Sequence, residues 1–388
     1  MGMINKNLLN ELSDQQLQKR EKKRVRDVRS QYYRDTTAII HSSAFRRLKH
    51  KTQVFYAPSN DHICTRMEHC LHVASIASTV SRGLSLNGEL AWAIGMGHDL
   101  GHTPFGHLGE SIISEMRVNA GFPPFEHEIH SLRVVDFLSH RGEGMNLTYA
   151  VRDGIVCHCG ETTEKNIHPD FRIKNLEVIG SKKNLIPATY EACVVRFCDS
   201  IAYLGRDFED ACRLKLIDED EQPSVAREVL GPNNGQIIDT LVNDLIENSN
   251  EENGISFSEE KYSAIKVMKQ FNYDKIYRSP LLDGYRKYFT RLLNLIADYL
   301  NSLYSEFGAD VELYQNEKNM LASGFAQHVS EMKSKYIEKE GNSDLLIYDY
   351  IAGMSDNFAL DCAKEILIPE HLNEHLESSL TGKWFDAR

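Results

Sequence analysis

One short segment of the sequence concentrates side chains that can bind metals and move protons. Residues 97–110 place His98, Asp99, His102, His107 and Glu110 among glycine, proline, threonine and apolar residues. Neutral imidazole nitrogens and carboxylate oxygens suit divalent ions such as Zn, Mn, Fe or Ni. A bound ion of this kind turns water into a nucleophile near neutral pH. The density of these residues therefore indicates chemistry rather than packing.

Three predicted helices place further residues of this kind on apolar faces. One helix follows residue 66, one ends at the glycines of residues 97–101, and a long one covers about residues 188–216. Side chains three or four positions apart share a face of a helix. The three faces are His69, Val73, Ile76 and Val80; Leu90, Ile94 and His98; and Val195, Asp199, Tyr203 and Asp207. A buried carboxylate needs a partner, and a metal ion is one such partner.

His69, His98, Asp99 and Asp199 therefore form a candidate metal site. Two imidazoles and two carboxylates give four protein ligands and leave positions open for water and substrate. The cofactor would be a divalent ion: Mn, Mg, Zn, Fe, Ni or Co. The alternative is a set of core polar residues that only hydrogen-bond to one another.

Between residues 26 and 213 the sequence resembles the HD-domain superfamily, and more closely its deoxynucleoside triphosphate (dNTP) triphosphohydrolases. The resemblance rests on blocks that occur in a fixed order. They are HSSAFRRLKHKTQVF at residues 41–55, TRMEH at 65–69, the run from His98 to Glu110, FEH at 125–127 and DSIAY at 199–203.

The resemblance implies hydrolysis of a dNTP to a deoxynucleoside and inorganic triphosphate, by attack at the α-phosphorus. The family's metal ligands correspond to the four residues of the candidate metal site. Its catalytic histidine and acid correspond to His107 and Glu110, which a helical turn would bring together. His127 would help to protonate the leaving group.

A triphosphate needs cations besides the metal. Arg46, Arg47, Lys51 and Arg66 are the candidates, because guanidinium groups bind phosphate oxygens two at a time. His102 either binds phosphate or closes the glycine-rich turn.

The resemblance also implies a pocket that selects deoxyribose. Gln53 and Asp207 would hydrogen-bond the 3′-hydroxyl, and Tyr203 would lie beneath the sugar and leave no room for a 2′-hydroxyl. The chain departs from the family at Glu128 and His130, where an Asn and a Gln are often seen. A carboxylate at Glu128 would repel phosphate.

Some of these residues have simpler interpretations. His107 and Glu110 can be a helix-capping pair, and His127 can line the pocket without a chemical role. Residues 157–159 read Cys-His-Cys, but three ligands so close together cannot all reach one tetrahedral ion. This spacing favours structural thiols with a pocket-lining His158.

Helical periodicity dominates the chain, and the weak strand candidates are residues 154–156 and 177–179. We predict an all-α fold with little or no sheet. A basic N-terminal arm (residues 1–25) precedes an HD-domain helical core (26–215), and a C-terminal helical region (216–388) packs on that core. Residues 216–236 are expected to form an exposed connection. The basic run at residues 19–29 is typical of a solvated helix face, or else contacts an effector.

The composition restricts the partners. A net charge of −12 argues against a protein that coats nucleic acid with its whole surface. The eight cysteines lie mostly in apolar runs, which indicates reduced thiols and a cytoplasmic protein. No apolar stretch reaches the roughly 18 residues that span a membrane. Expected partners are the dNTP substrate, a dNTP or single-stranded nucleic acid as effector, and further copies of the chain, with the apolar C-terminal helices as interface.

Two other functions remain open. An HD-domain phosphohydrolase can act on a nucleoside monophosphate or a signalling nucleotide, although Gln53, Tyr203 and Asp207 argue for a dNTP. A sensor or assembly protein would bind nucleotide without turnover, although the intact ligand set and Glu110 argue against it.

Overall fold

The computed structural model describes residues 8–56, 60–159, 164–341 and 343–368, and these residues form an all-α fold. The predicted arm and C-terminal region lie partly outside them, at residues 1–7 and 369–388. The helices are α1 Asp14–Leu17, α2 Gln31–Ile40, α3 Ser43–Arg47, α4 Arg66–Gly83, α5 Gly88–Gly97, α6 Gly106–Asn119, α7 His127–Arg133, α8 Tyr149–Val156, α9 Tyr190–Arg213, α10 Ser224–Val229, α11 Asn234–Asn248, α12 Glu259–Asn272, α13 Pro280–Phe307, α14 Met320–Glu340, α15 Leu346–Ala352 and α16 Asp356–Leu367.

The three helices predicted to carry metal ligands are α4, α5 and α9, and a side chain caps the start of each. Thr65 and Glu68 form a capping box before α4, where the Thr65 backbone N–H donates to Glu68 Oε2 at 2.7 Å. Asn87 caps α5 and Thr189 caps α9. Because these caps satisfy N–H groups that lack a partner within the helix, they fix where each helix begins.

Helices α4 and α5 approach each other closely because Gly95 has no side chain. A Cβ atom at Gly95 would lie 2.7 Å from the Cα of Ala74, which is far inside van der Waals contact. The α4–α5 pair packs against α9 in a large apolar core that also includes parts of α2, α8, α11 and α12. Three rigid helices thus bring distant parts of the sequence to one place.

A second apolar core joins α6 to the C-terminal helices. Ile112 and Ile113 of α6 pack with residues from α13, α14, α15 and α16. The apolar stripe of α13, which we expected at an interface between subunits, lies inside this core, with Ile296 and Leu300 fully buried. The C-terminal region therefore packs directly on the helix that carries His107 and Glu110.

Several local predictions were wrong. Residues 154–156 belong to α8, and residues 177–178 lie in a 3-10 turn. The two strands of the described residues are β1 Asn166–Ile167 and β2 Ile255–Ser256, which pair antiparallel. The expected connection at residues 216–236 is exposed over much of its length, but it contains α10, with Ala226 and Leu230 buried. The pairing of β1 with β2 and the burial of α10 depend on residues far apart in the chain, so local periodicity does not reveal them.

The basic run at residues 19–29 is also not a helix, because α1 ends at Leu17 and α2 begins at Gln31. The first residues of this segment contact the core, whereas most of the segment is exposed, as expected of a solvated run. Arg20 pairs with the buried Asp35, and the backbone N–H of Tyr149 donates to the Lys19 carbonyl at 2.8 Å. No helix in the described parts of the chain is both long and apolar enough to cross a bilayer.

Candidate active site

The side chains of His69, His98 and Asp199 converge from α4, α5 and α9. Asp199 Oδ1 lies 3.0 Å from His69 Nε2 and 3.8 Å from His98 Nε2. Asp99 Oδ1 approaches from the next residue of the chain, 3.6 Å from His98 Nε2. Two ligands that bind one ion at about 2.1 Å lie roughly 3.0 to 4.2 Å apart. The three distances fall within this range, and the ligand atoms of His69, His98 and Asp199 all lie within 4.8 Å of one another. Asp99 is close to His98 but does not join these three in one group, so its place as the fourth ligand stays a prediction.

The chemistry of these groups also fits a divalent cation. His98 Nδ1 donates to the Gly95 carbonyl at 2.8 Å, so Nε2 carries a lone pair. This buried Nε2 has no hydrogen-bond partner within the described residues. Burial lowers the pKa of His98 to about 4. For Asp199, burial raises the pKa, but the hydrogen bond and charge of His69 outweigh it and bring the pKa to about 2. A neutral imidazole and an ionised carboxylate are the forms that bind metals.

Arg66 fixes the orientation of Asp99. The Arg66 Nη1 donates to Asp99 Oδ2 at 2.6 Å, which turns Oδ1 toward His98 and leaves it available as a ligand. Arg66 is held in turn by the carbonyls of Thr52 and Gln53. A buried carboxylate with this support behind it keeps its position when a cation binds in front of it.

A second group of side chains lies beside the metal ligands and is organised by Glu110. Glu110 accepts hydrogen bonds from His107 Nδ1 at 3.2 Å and from the ring and backbone nitrogens of His127, both at 3.0 Å. Burial lowers the pKa of His127, but Glu110 and Glu128 outweigh it and raise the pKa to about 10. His127 is therefore an imidazolium at neutral pH, and His107 is the solvent-facing member, with 59% of its side chain exposed.

His158 connects the two groups of side chains. Its Nδ1 donates to the Ile155 carbonyl, so its Nε2 accepts from His127 Nε2 at 3.3 Å. The His158 ring also packs edge-on against His98, with centroids 4.9 Å apart. His127 Nε2 lies 4.0 Å from Asp99 Oδ1. The charged His127 ring is thus close enough to the metal-ligand candidates for one small molecule to contact both.

The side chains of His102, His107, Glu110 and His127 lie close enough together to be considered as a second cation site. The rings of His102 and His127 stack, with centroids 4.2 Å and planes 22° apart. A metal ion lies in the plane of an imidazole that binds it, and two stacked, nearly parallel rings share no such position. This geometry favours proton transfer or anion binding over a second metal.

Two of the three residues predicted for a sugar pocket lie on α9, and the third lies in the loop after α3. Tyr203 and Asp207 follow Asp199 at steps of one helical turn, and Gln53 lies in the loop after α3 with its Oε1 buried and without a hydrogen-bond partner in the described chain. Asp207 Oδ2 accepts a hydrogen bond from the Tyr277 hydroxyl at 2.5 Å. Lys269 lies over the Tyr203 ring, 5.5 Å from its centroid.

Asp207 should give the protein a measurable pH dependence of stability. Burial raises its pKa to about 6, although the Tyr277 hydroxyl opposes the shift. The folded protein then holds this proton more tightly than the unfolded chain, so ionisation of Asp207 lowers stability as the pH rises from about 4 to 6. We expect Asp207→Asn to raise the free energy of unfolding of the metal-free protein at pH 8 by up to about 3 kcal/mol.

Urea denaturation of both proteins from pH 4 to pH 8 measures this difference, which should shrink toward zero near pH 4. Asp361→Asn on α16 changes a carboxylate that is 53% exposed and serves as the control. If Asp207→Asn destabilised the protein equally at every pH, the buried charge would not be the cause.

Comparisons with known proteins place the chain in a family. A model described as the HD domain matches residues 66–204, and one described as a phosphohydrolase-associated domain matches residues 255–365. A deoxyguanosinetriphosphate triphosphohydrolase-like protein of Desulfatibacillum aliphaticivorans is 36% identical over 349 residues, which cover 88% of this chain and 89% of the relative. The chain belongs to this family of HD-domain phosphohydrolases.

Two further members of the family carry the same name. The protein of Caldanaerobacter subterraneus subsp. tengcongensis is 36% identical over 347 residues, covering 88% of this chain and 86% of the relative. That of Clostridium perfringens (strain 13) is 32% identical over 372 residues and covers 95% of each chain. The likeness to the family thus extends over both apolar cores.

The basic residues predicted to hold the triphosphate are less available than expected. Lys51 is buried, and its ammonium donates to the carbonyls of His102 and Ala352. Arg66 is occupied by Asp99. Arg46 is exposed and donates to the His41 carbonyl at 3.2 Å, while Arg47 is half-buried beside the C-terminal helices. Lys51 and Arg66 therefore support the loops around the site, and their contact with a triphosphate stays a prediction.

The two departures from the family pattern have different surroundings. Glu128 is buried and accepts a hydrogen bond from Lys182 Nζ at 3.0 Å, so its charge is compensated. His130 lies 3.6 Å from Asp349 of α15, on the side of α7 that faces the C-terminal core. Neither residue is among the metal-ligand candidates.

Sequence reasoning gave no chemical role to two residues that the structure places at the site. His158, two residues beyond the end of α8, was expected to line the pocket, and the Cys-His-Cys run at residues 157–159 was its signal. Tyr277, which contacts Asp207, ends the π-helical turn that follows α12 and has no local signal, because its role depends on a contact across 70 residues.

Proposed function

We propose that this protein hydrolyses dNTPs to the deoxynucleoside and inorganic triphosphate. The observation that carries the proposal is the position of Glu110, His107 and His127 (the Glu110-centred group) directly beside the four metal-ligand candidates. A phosphohydrolase needs both a site that polarises phosphate and a group that manages protons at the bond that breaks. When a divalent metal is bound by His69, His98, Asp99 and Asp199, it lowers the pKa of water and offsets the charge of the α-phosphate.

The Glu110-centred group supplies the proton that this reaction needs. In the proposed reaction the bond between the α-phosphorus and the 5′ oxygen breaks, and the departing oxygen takes up a proton. His107 turns Nδ1 toward Glu110 and leaves Nε2 for the substrate, so the doubly protonated ring is our candidate for the proton donor: its Nε2–H passes to the departing 5′ oxygen, and the neutral ring remains bound to Glu110. His127 contributes a fixed positive charge, which Glu110 and His158 orient through its two ring nitrogens.

His102 is a buried, neutral imidazole, and we propose that it contacts a phosphate group. Burial and the neighbouring Arg66 hold its pKa well below the usual range, so it is neutral, and neither ring nitrogen has a hydrogen-bond partner within the described residues. A neutral imidazole can donate one N–H to a phosphate oxygen without adding charge to the crowded site. We propose that Arg46, which is exposed, and Arg47 supply positive charge to the triphosphate.

We propose that Tyr203, Asp207 and Gln53 select deoxyribose. Asp207 and Gln53 offer acceptor and donor groups to a 3′-hydroxyl, and the Tyr203 ring closes the space where a 2′-hydroxyl would lie. Both sugars carry the 3′-hydroxyl, so the hydrogen bonds orient the sugar and the discrimination against ribose comes from the Tyr203 ring. The subunit number, an effector and the cytoplasmic location stay predictions.

The experiment is a product assay with each of the four dNTPs and four NTPs in the presence of Mn²⁺. We expect equimolar deoxynucleoside and intact triphosphate from at least one dNTP, with dGTP tested first because the relatives are named for it. NTPs should react at least about 100-fold more slowly. Release of a nucleoside monophosphate, or tight dNTP binding without any product across several metals, would contradict the proposal.

A further inference from the structure

The turn that begins α6 has an unusual backbone conformation. Phe105 has a φ of +62° and is followed by Gly106 at +59°. A bulky L-residue rarely adopts a positive φ, so the surrounding structure must hold this one in place. The turn matters because His107 is the second residue of α6 and Glu110 lies one turn further on. An error in this turn would displace both side chains.

Asp356, at the first position of α16, contacts this turn from the C-terminal region. Its Oδ1 accepts a hydrogen bond from the Phe105 backbone N–H at 2.9 Å. Its Oδ2 accepts from the backbone N–H of Thr52 at 2.9 Å and from the Thr52 hydroxyl at 2.5 Å. The carboxylate is 3% exposed. One buried carboxylate therefore holds two segments that are 53 residues apart in the chain.

Both segments lead to the candidate active site. The Thr52 carbonyl accepts from Arg66 Nε at 3.2 Å, and Arg66 orients Asp99. The Phe105 ring stacks on Phe289 of α13, with centroids 3.9 Å and planes 10° apart. Lys51, next to Thr52, donates to the Ala352 carbonyl at 2.9 Å. The α15–α16 segment thus contacts the loop before α4 and the start of α6 together.

We propose that Asp356 is a positioning residue for hydrolysis: by holding the Phe105 turn against the Thr52 loop, it sets His107 and Glu110 at the right place relative to Asp99. This inference rests on the proposed function, because the rate that Asp356 would affect is that of the proposed hydrolysis. It gives the C-terminal region a role in the reaction, although none of the four metal-ligand candidates lies there. Charge-assisted hydrogen bonds to two backbone N–H groups are strong enough to hold a strained turn.

The test is Asp356→Asn. An amide has a single acceptor oxygen, so it cannot accept from Phe105 on one side and Thr52 on the other. We expect kcat to fall at least tenfold while KM changes by less than about threefold, because nucleotide binding does not need the correct position of His107. Metal content should stay near that of the parent.

Hydrogen exchange provides a readout that does not depend on activity. In Asp356→Asn, amide exchange at residues 105–108 and at Thr52 should accelerate at least tenfold, while α9 and α12 keep the parent rates. Asp361→Asn, one turn and a residue further along α16, is the matched control and should match the parent in both measurements.

The outcomes separate this inference from the proposed function. A parent protein without triphosphohydrolase activity would refute the function, while the exchange data still test the contact. Unchanged exchange at residues 105–108, or faster exchange with parental kcat, would overturn the positioning role. If Asp356→Asn does not fold, Thr52→Val removes one donor to the same carboxylate. That variant should show the same local exchange change and an approximately threefold lower kcat, and parental values for both would overturn the inference.

Discussion

His98→Ala should lose the bound metal and at least about 10³-fold in kcat, because a metal ion supplies several kcal/mol of transition-state stabilisation. His98 is the fully buried ligand candidate whose Nε2 has no other partner within the described residues. Removing its imidazole leaves the remaining candidates unable to enclose the ion. Metal content measured by mass spectrometry should fall from about one ion per chain to under a tenth.

His72→Ala is the matched control for this experiment. His72 lies on α4, three residues after His69, is only half-buried, and belongs to none of the potential metal-binding groups of the described residues. Its removal should leave metal content and kcat within about twofold of the parent. Parental metal content in His98→Ala would show that the ion, if there is one, binds elsewhere.

Glu110→Gln should lower kcat by about 10²- to 10³-fold and leave the metal in place, which is the usual range for loss of general acid–base assistance. The charge of Glu110 keeps the pKa of His127 raised and orients His107 and His127 together. A neutral amide loses that charge, so His127 loses its strongest stabilising partner. Steady-state kinetics with metal analysis of the same samples measures both effects.

Glu115→Gln tests whether any carboxylate on α6 would have this effect. Glu115 lies one turn beyond Glu110, is 60% exposed and pairs with Arg286 on the surface. The change should leave kcat within about twofold of the parent, since exposed pairs contribute little. A Glu110→Gln protein with parental kcat would remove the Glu110-centred group from the mechanism, and a loss of metal in it would move Glu110 into the ligand set.

The helices that carry the candidate site could be predicted because their signal is local. His69, His98 and Asp199 each continue an apolar stripe at helical spacing. His69 lies in α4, Asp199 lies in α9, and His98 is the residue that ends α5. The pairing of His107 with Glu110 also follows from a spacing of three within one helix. Periodicity depends on residues only a few positions apart, which is why the sequence could predict these features.

The supporting contacts could not be predicted because they join distant segments. Lys51 and Arg66 have the residue type of phosphate ligands, yet backbone carbonyls and Asp99 occupy them. Tyr277 and Asp356 contact the site across 70 and more than 250 residues. The apolar stripe of α13 correctly indicated a helix, but a stripe does not reveal whether its partner is the same chain or another.

The account depends on one cation held jointly by α4, α5 and α9. The most direct measurement is an anomalous diffraction map of crystals soaked in Mn²⁺, collected at its absorption edge. We expect one strong peak per chain, about 2.0 to 2.2 Å from His69 Nε2, His98 Nε2 and Asp199 Oδ1 and from Asp99 Oδ1. A map without a peak there, in which His69 and Asp199 are still hydrogen-bonded to each other, would contradict the account.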